Sequence, residues 1–313
     1  CDAHADPNAR SNRRDWSALH VAAIRGNLEV VQTLLAQGAK LDVIDRIGQS
    51  PLHLAAAHGN LPVVQWLIEQ GAACDEGDIQ QATPLALATA GSYLPVMEYL
   101  LAQGALAAPA KGIERTPLMA AVRTGDETAV RLLIAHGAAS NASDVFLEAV
   151  NSGRLTIVNA LLAAGADAQR LDAEGRSALH LAASSGQHKL LQRLLETESD
   201  VNLVSAHGTT ALHRAAWAGD VAAVEMLLEH GADVNLGRGE AGTPLHSALT
   251  GVTQSPRDQF AVAKVLLAHG VDTNAADHAG ATALKIAVER QLEPFVELLI
   301  AHGATLWPKA KSN

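Results

Sequence analysis

Gly237, Gly239 and Gly242, in GRGEAGTPLH (237–246), spell the G-x-G-x-x-G spacing of a turn whose backbone cradles a dinucleotide pyrophosphate. That chemistry needs a buried strand before the turn and a second strand of the same parallel sheet after the helix. Here ADVNL precedes the turn and Thr243 opens a short helix, so the glycines read as a hairpin, with Arg238 able to hold an anion only weakly. Fourteen histidines raise metal and acid–base chemistry, yet no H-E-x-x-H or comparable ligand spacing occurs. There is no G-x-S-x-G elbow and no phosphate-binding P-loop. Acid pairs such as Asp75-Glu76 read as solvated hairpin residues, and Cys1 and Cys74 belong to no C-x-x-C pair. We expect no catalytic residue, no cofactor and no metal.

What, then, positions these residues? Apolar residues make up 48% of the 313, which excludes a largely disordered chain. Aromatics are 3% and Ala and Leu dominate, which suits thin, closely packed helices. A net charge of −10 argues against nonspecific nucleic-acid binding. No apolar run is long enough to span a membrane, and no signal peptide is visible. The sparse cysteines fit a cytoplasmic or otherwise intracellular setting, with a lipoprotein or secreted origin left open.

The decisive feature is a period. The glycine of QGA, AGA or HGA recurs at Gly38, Gly71, Gly104, Gly137, Gly165, Gly231, Gly270 and Gly303, mostly in steps of 33 or its double. Each unit opens on an N-cap: Ser17, Ser50, Thr83, Thr116, Ser177, Thr210, Thr243, Thr282. Proline often follows, as at Pro51, Pro84, Pro117 and Pro244. A Leu/Ala helix then stops at a glycine such as Gly26, Gly59, Gly125 or Gly219. A second amphipathic helix follows, as from Leu28 to Gln37, and a polar stretch turns back to the next cap. Two such helices cannot close a core alone, but stacked units can.

SPLHLAAAHGNLPVVQWLIEQGA (50–72) and TALHRAAWAGDVAAVEMLLEHGADVN (210–235) resemble ankyrin repeats, and the resemblance covers nearly the whole chain. It implies an all-α solenoid with short β-hairpins, a right-curved stack of helix–turn–helix units. It also implies that His20, His53, His180, His213 and His246 brace the turn by bonding to local backbone. His136, His230, His269 and His302 precede the loop glycine, where the end of the second helix favours positive charge. Asn202 and Asn235 would brace the hairpin; such asparagines are similar to sites that ankyrin-directed hydroxylases modify in animal cells.

The expected boundaries are the end of a truncated repeat and its hairpin over 1–15, nine repeats over 16–306, and a tail over 307–313. Cys1 falls where a core leucine of a second helix would be, so residue 1 is not expected to be a natural domain start. The fifth unit, near 138–165, is five residues short. Asn141, Ser143 or Asp144 must cap its helix, and the array is free to bend or divide there. The eighth unit gains six residues near 249–260, read as an exposed loop. In the last unit Lys285 replaces the signature His, polar residues give a capping face, and Trp307 is expected to fold over the final helix pair.

Residues that differ between units mark the binding face. Ahead of the first-helix glycine they are Ile24-Arg25, Ala57-His58, Ala90-Gly91, Arg123-Thr124, Asn151-Ser152, Ser184-Ser185, Trp217-Ala218 and Glu289-Arg290. The tips add Arg13, Arg14, Trp16, Arg46, Ile47, Gln80, Lys111, Arg170, Glu174, His207, Arg238 and Glu240. Trp217 is either an interface anchor or fills a gap beside the next unit or under the 250–259 insert. Arg13, Arg14, Arg25, Arg46 and Arg123 suggest a basic inner stripe suited to an acidic segment. The chain therefore reads as a monomeric, noncatalytic protein-interaction scaffold, part of a longer polypeptide, binding through hairpin tips and the concave first-helix face. The alternative is an enzyme or ligand-binding subunit with a pocket near Trp217 and the 250–259 loop.

Overall fold

A computed structural model describes residues 6–11, 13–108, 116–139, 145–197, 199–237, 241–251 and 256–307, with the side chains of 256 and 257 excepted. Among these residues the chain forms eighteen helices in nine consecutive pairs. They fall into two compact units, one of residues 1–145 with 159–165, the other of 146–158 with 166–313. The division passes through the short fifth unit of the sequence. Its expected caps Asn141, Ser143 and Asp144 lie outside the described residues.

The first unit holds α1 (Ala18–Arg25) and α2 (Leu28–Ala36), α3 (Pro51–Ala57) and α4 (Leu61–Glu69), α5 (Pro84–Ala90) and α6 (Leu94–Ala102), and α7 (Pro117–Thr124) and α8 (Glu127–Ala135). The helices α9 (Val145–Asn151) and α10 (Leu155–Ala163) are divided between the units. The second unit holds α11 (Ala178–Ser184) and α12 (His188–Leu195), α13 (Ala211–Ala218) and α14 (Val221–Glu229), α15 (Pro244–Thr250) and α16 (Pro256–Ala268), and α17 (Ala283–Glu289) and α18 (Glu293–Ala301). Within each unit first helices pack on first helices, as α1 on α3 and α13 on α15, and second helices on second helices, as α2 on α4 and α12 on α14.

The local chemistry explains each pair. Ser17, Ser50, Thr83, Thr116, Ser177, Thr210, Thr243 and Thr282 all stand as N-caps in extended backbone. Paired alanines let neighbouring first helices approach: Ala22-Ala23, Ala55-Ala56, Ala182-Ala183 and Ala215-Ala216 are all buried. Leucines of the second helices, such as Leu67, Leu133, Leu194 and Leu227, are fully excluded from water. At the end of α1, Gly26 takes φ +69°, the left-handed conformation that glycine adopts without penalty. Ser92 and Gln291 hold the same conformation, at φ +55° and +57°, without being glycine.

Three expectations change in detail. The hairpins are turns rather than strands, with isolated antiparallel bridges Arg10–Ser17 and Ala276–Thr282 among the described residues. The insert is not wholly a loop. Residues 256–260 lengthen α16, and Phe260 meets Phe295 of α18 edge to face at 5.3 Å. Ser-Pro-x-Asp at its start is a helix-opening pattern that outweighs the loop-like composition. Trp307 sits under Lys285 Nζ at 5.2 Å but stays 68% exposed, and Val288 and Ile300 of the last pair are exposed too.

Candidate functional site

The signature histidines are structural in the described residues. In α13, the Thr210 N–H donates to His213 Nδ1 at 3.1 Å, and the Thr210 hydroxyl lies 2.8 Å from the same atom. A backbone N–H can only donate, so Nδ1 carries no proton. The proton is then on Nε2, which donates 3.1 Å to the Gly242 carbonyl at the next hairpin. His20 to Gln49, His180 to Thr209 and His246 to Ala281 repeat this link. His53 shares the cap contacts with Ser50, but its Nε2 is buried without a partner. Burial lowers the pKa of all five, that of His213 to about 4. Rings held neutral by burial, four of them committed on both nitrogens, are poor acid–base catalysts.

The remaining polar side chains follow the same logic. Asn8, Asn202, Asn235 and Asn274 each donate from the amide to a carbonyl of the next unit and accept a backbone N–H two residues beyond it. Asp45, Asp78, Asp172 and Asp277 each accept the N–H groups two and four residues on, which closes the hairpin. His136, His230, His269 and His302 donate from Nδ1 to the carbonyl four residues earlier, at the ends of their second helices. A Cβ on Gly237 would collide with the Gly242 carbonyl, so Gly237 and Gly242 meet backbone to backbone just ahead of the seven-residue α15. No group of three or more His, Cys, Asp or Glu suited to a metal ion occurs among the described residues.

What these braces leave is a groove in the first unit, about 570 Å³, between the first two hairpin tips and the ends of α1 and α3. Ile24, Leu54 and Ala57 form its apolar floor. Arg13, Arg14, Arg46 and Ile47 come from the tips, and His58 closes the helix side. The Trp16 indole N–H donates to Asp45 Oδ2 at 3.0 Å, and the Arg14 guanidinium lies over the indole ring at 4.7 Å. Successive tips are tied by backbone hydrogen bonds, Arg46 N–H to the Arg14 carbonyl and Ile79 N–H to the Ile47 carbonyl.

Six residues read from the sequence as partner contacts thus meet in one groove: Arg13, Arg14, Trp16, Arg46, Ile47 and His58. Arg25 and Arg123 are exposed in the same unit but do not line it. Trp217, Glu289 and Arg290 belong to the second unit. There Trp217 is 40% exposed while its carbonyl packs against Gly251. Arg290 is occupied by the Leu249 carbonyl, 3.2 Å away at the end of α15. Lys111 and Arg238 lie outside the described residues. Sequence reading placed Ile24 and Ala57 on the binding face but missed Leu54 of the groove floor and the Trp16–Asp45 bond. The D-x-x-G of three hairpins was the available signal for Asp45, Asp172 and Asp277, whereas Asp78, followed by Ile-Gln-Gln, and the indole contact had none.

A comparison with curated proteins returns no match. A family model described as ankyrin repeats, in three copies, matches residues 2–78, 73–144 and 146–238, well over half of the chain. With the capped helix pairs and the histidine and asparagine braces between them, this match establishes that the chain belongs to the ankyrin repeat family.

Proposed function

We propose that the chain is a noncatalytic scaffold that binds a protein partner through its hairpin tips and the exposed ends of its first helices. Ankyrin repeats generally serve as protein–protein interaction modules and are typically not enzymes. No helix among the described residues is long and apolar enough to cross a membrane.

The convergence of six variable residues on one groove carries the reading. Braces that recur from unit to unit hold the backbone, so residues at the tips differ between units without disturbing the core. A preformed surface of this kind loses little conformational entropy on binding. Arg13, Arg14, Arg25, Arg46 and Arg123, exposed on a chain of net charge −10, favour an acidic segment of the partner. Trp217 adds a second exposed anchor in the other unit.

The test is capture of partners from the source lysate on immobilised protein. Wild type is compared with Arg46→Glu/Ile47→Asp and with Arg123→Ala/Trp217→Ala, all exposed positions. The proposal expects reduced recovery from at least one variant with an unchanged melting curve. Equal recovery from all three proteins would remove this face from consideration.

A further inference from the structure

We infer that the groove of the first unit receives an acidic segment that carries one large apolar side chain. The inference rests on the scaffold reading and names the partner chemistry at one place. Its size, about 570 Å³, is in the range of sites that enclose a compact organic group. The floor of Ile24, Leu54 and Ala57 offers such a group an apolar surface, and Ile47, 46% exposed, extends it at the rim.

Charge supplies the second half. Three arginines face one aspartate in this groove, although the whole chain is acidic. The aspartate is already engaged: Asp45 accepts the Trp16 indole N–H and the N–H groups of Ile47 and Gln49, and it is buried. The Arg14 guanidinium lies 4.7 Å from the centre of the Trp16 ring at the rim of the groove, and a guanidinium is suited to bidentate pairing with a carboxylate. Carboxylates on either side of the apolar anchor meet Arg13, Arg14 and Arg46. A nucleic acid fits less well, because the indole face is covered by Arg14 and the chain as a whole repels phosphate.

The experiment selects a displayed random library of peptides, about twelve residues long, on the intact chain, then measures a synthetic consensus peptide. The expected consensus places Asp or Glu around one Leu, Ile, Phe or Trp. Its binding should fall about tenfold or more in Arg13→Glu/Arg14→Glu, in about 500 mM against about 50 mM NaCl, and when the apolar residue becomes Ala. Polyglutamate and an oligothymidylate should bind at least about tenfold more weakly than the consensus peptide. Neutral or basic selected peptides, equal binding of polyglutamate or oligothymidylate, or indifference to the arginine reversal would each overturn the inference. In those cases lysate capture distinguishes the two levels. A partner still lost with Arg46→Glu/Ile47→Asp leaves the scaffold reading standing, and a partner lost with no variant removes both.

Discussion

His213→Ala should do two separable things to the second unit. It removes the ring that accepts the Thr210 N–H and donates to the Gly242 carbonyl, both in buried surroundings. Two orphaned backbone groups at about 1–3 kcal/mol each, with a void where the imidazole stood, give about 4 kcal/mol at neutral pH. The second effect is in the pH dependence. The folded pKa, about 4, lies below the unfolded value of 6.5 because burial disfavours the charged ring. Above pH 6.5 the ring is neutral in both states and contributes no slope. Below 6.5 the unfolded chain takes up a proton that the folded chain refuses, so wild type loses stability down to about pH 4. By pH 4.5 that loss is about 2–3 kcal/mol, since each pKa unit of difference is worth somewhat over about 1 kcal/mol. The variant lacks this loss, so its deficit should shrink from about 4 to about 1–2 kcal/mol between pH 7.5 and 4.5. Repeat arrays unfold in parts, so the assay is native-state hydrogen exchange of amides in α13 and α15. A deficit that stays constant across this range would refute the buried neutral ring.

Asn235→Ala removes an amide that donates to the Gly270 carbonyl at 3.3 Å and accepts the Asp272 N–H at 2.6 Å. It should cost about 1–2 kcal/mol in urea unfolding, and Asn235→Asp, which keeps only the acceptor, should cost less. Ser92→Gly relieves a left-handed residue at φ +55° and should raise stability by about 0.5–1 kcal/mol, with a higher melting temperature as the readout. Gly251→Ala drives a methyl group into the Trp217 carbonyl, a backbone atom that cannot swing aside. It should cost about 1–3 kcal/mol and speed exchange at the end of α13.

The fold was legible because its cause is local and repeated. N-cap Ser or Thr, small residues in the first helix and a glycine stop recur at fixed spacing, and each reports its own backbone position. The links between units were less legible. His213 reaches Gly242 and Asn235 reaches Gly270, and no pattern within one unit names the atom across the gap. The α16 extension is masked by the loop-like Thr, Ser and Pro around it, although Ser-Pro-x-Asp marks a helix start. For the groove, position along the repeat found the rim residues, which vary. The floor residue Leu54 looks like core in any single unit, and only the gap between two tips leaves it lining an opening.

The central claim is that partners dock on the tip side of the first unit. Its most direct measurement is photo-crosslinking in source lysate from a photoreactive residue placed at position 47, on a tip, or at position 98, exposed on α6. The account predicts a partner adduct from position 47 and none from position 98. An adduct from position 98 with none from position 47 would contradict it.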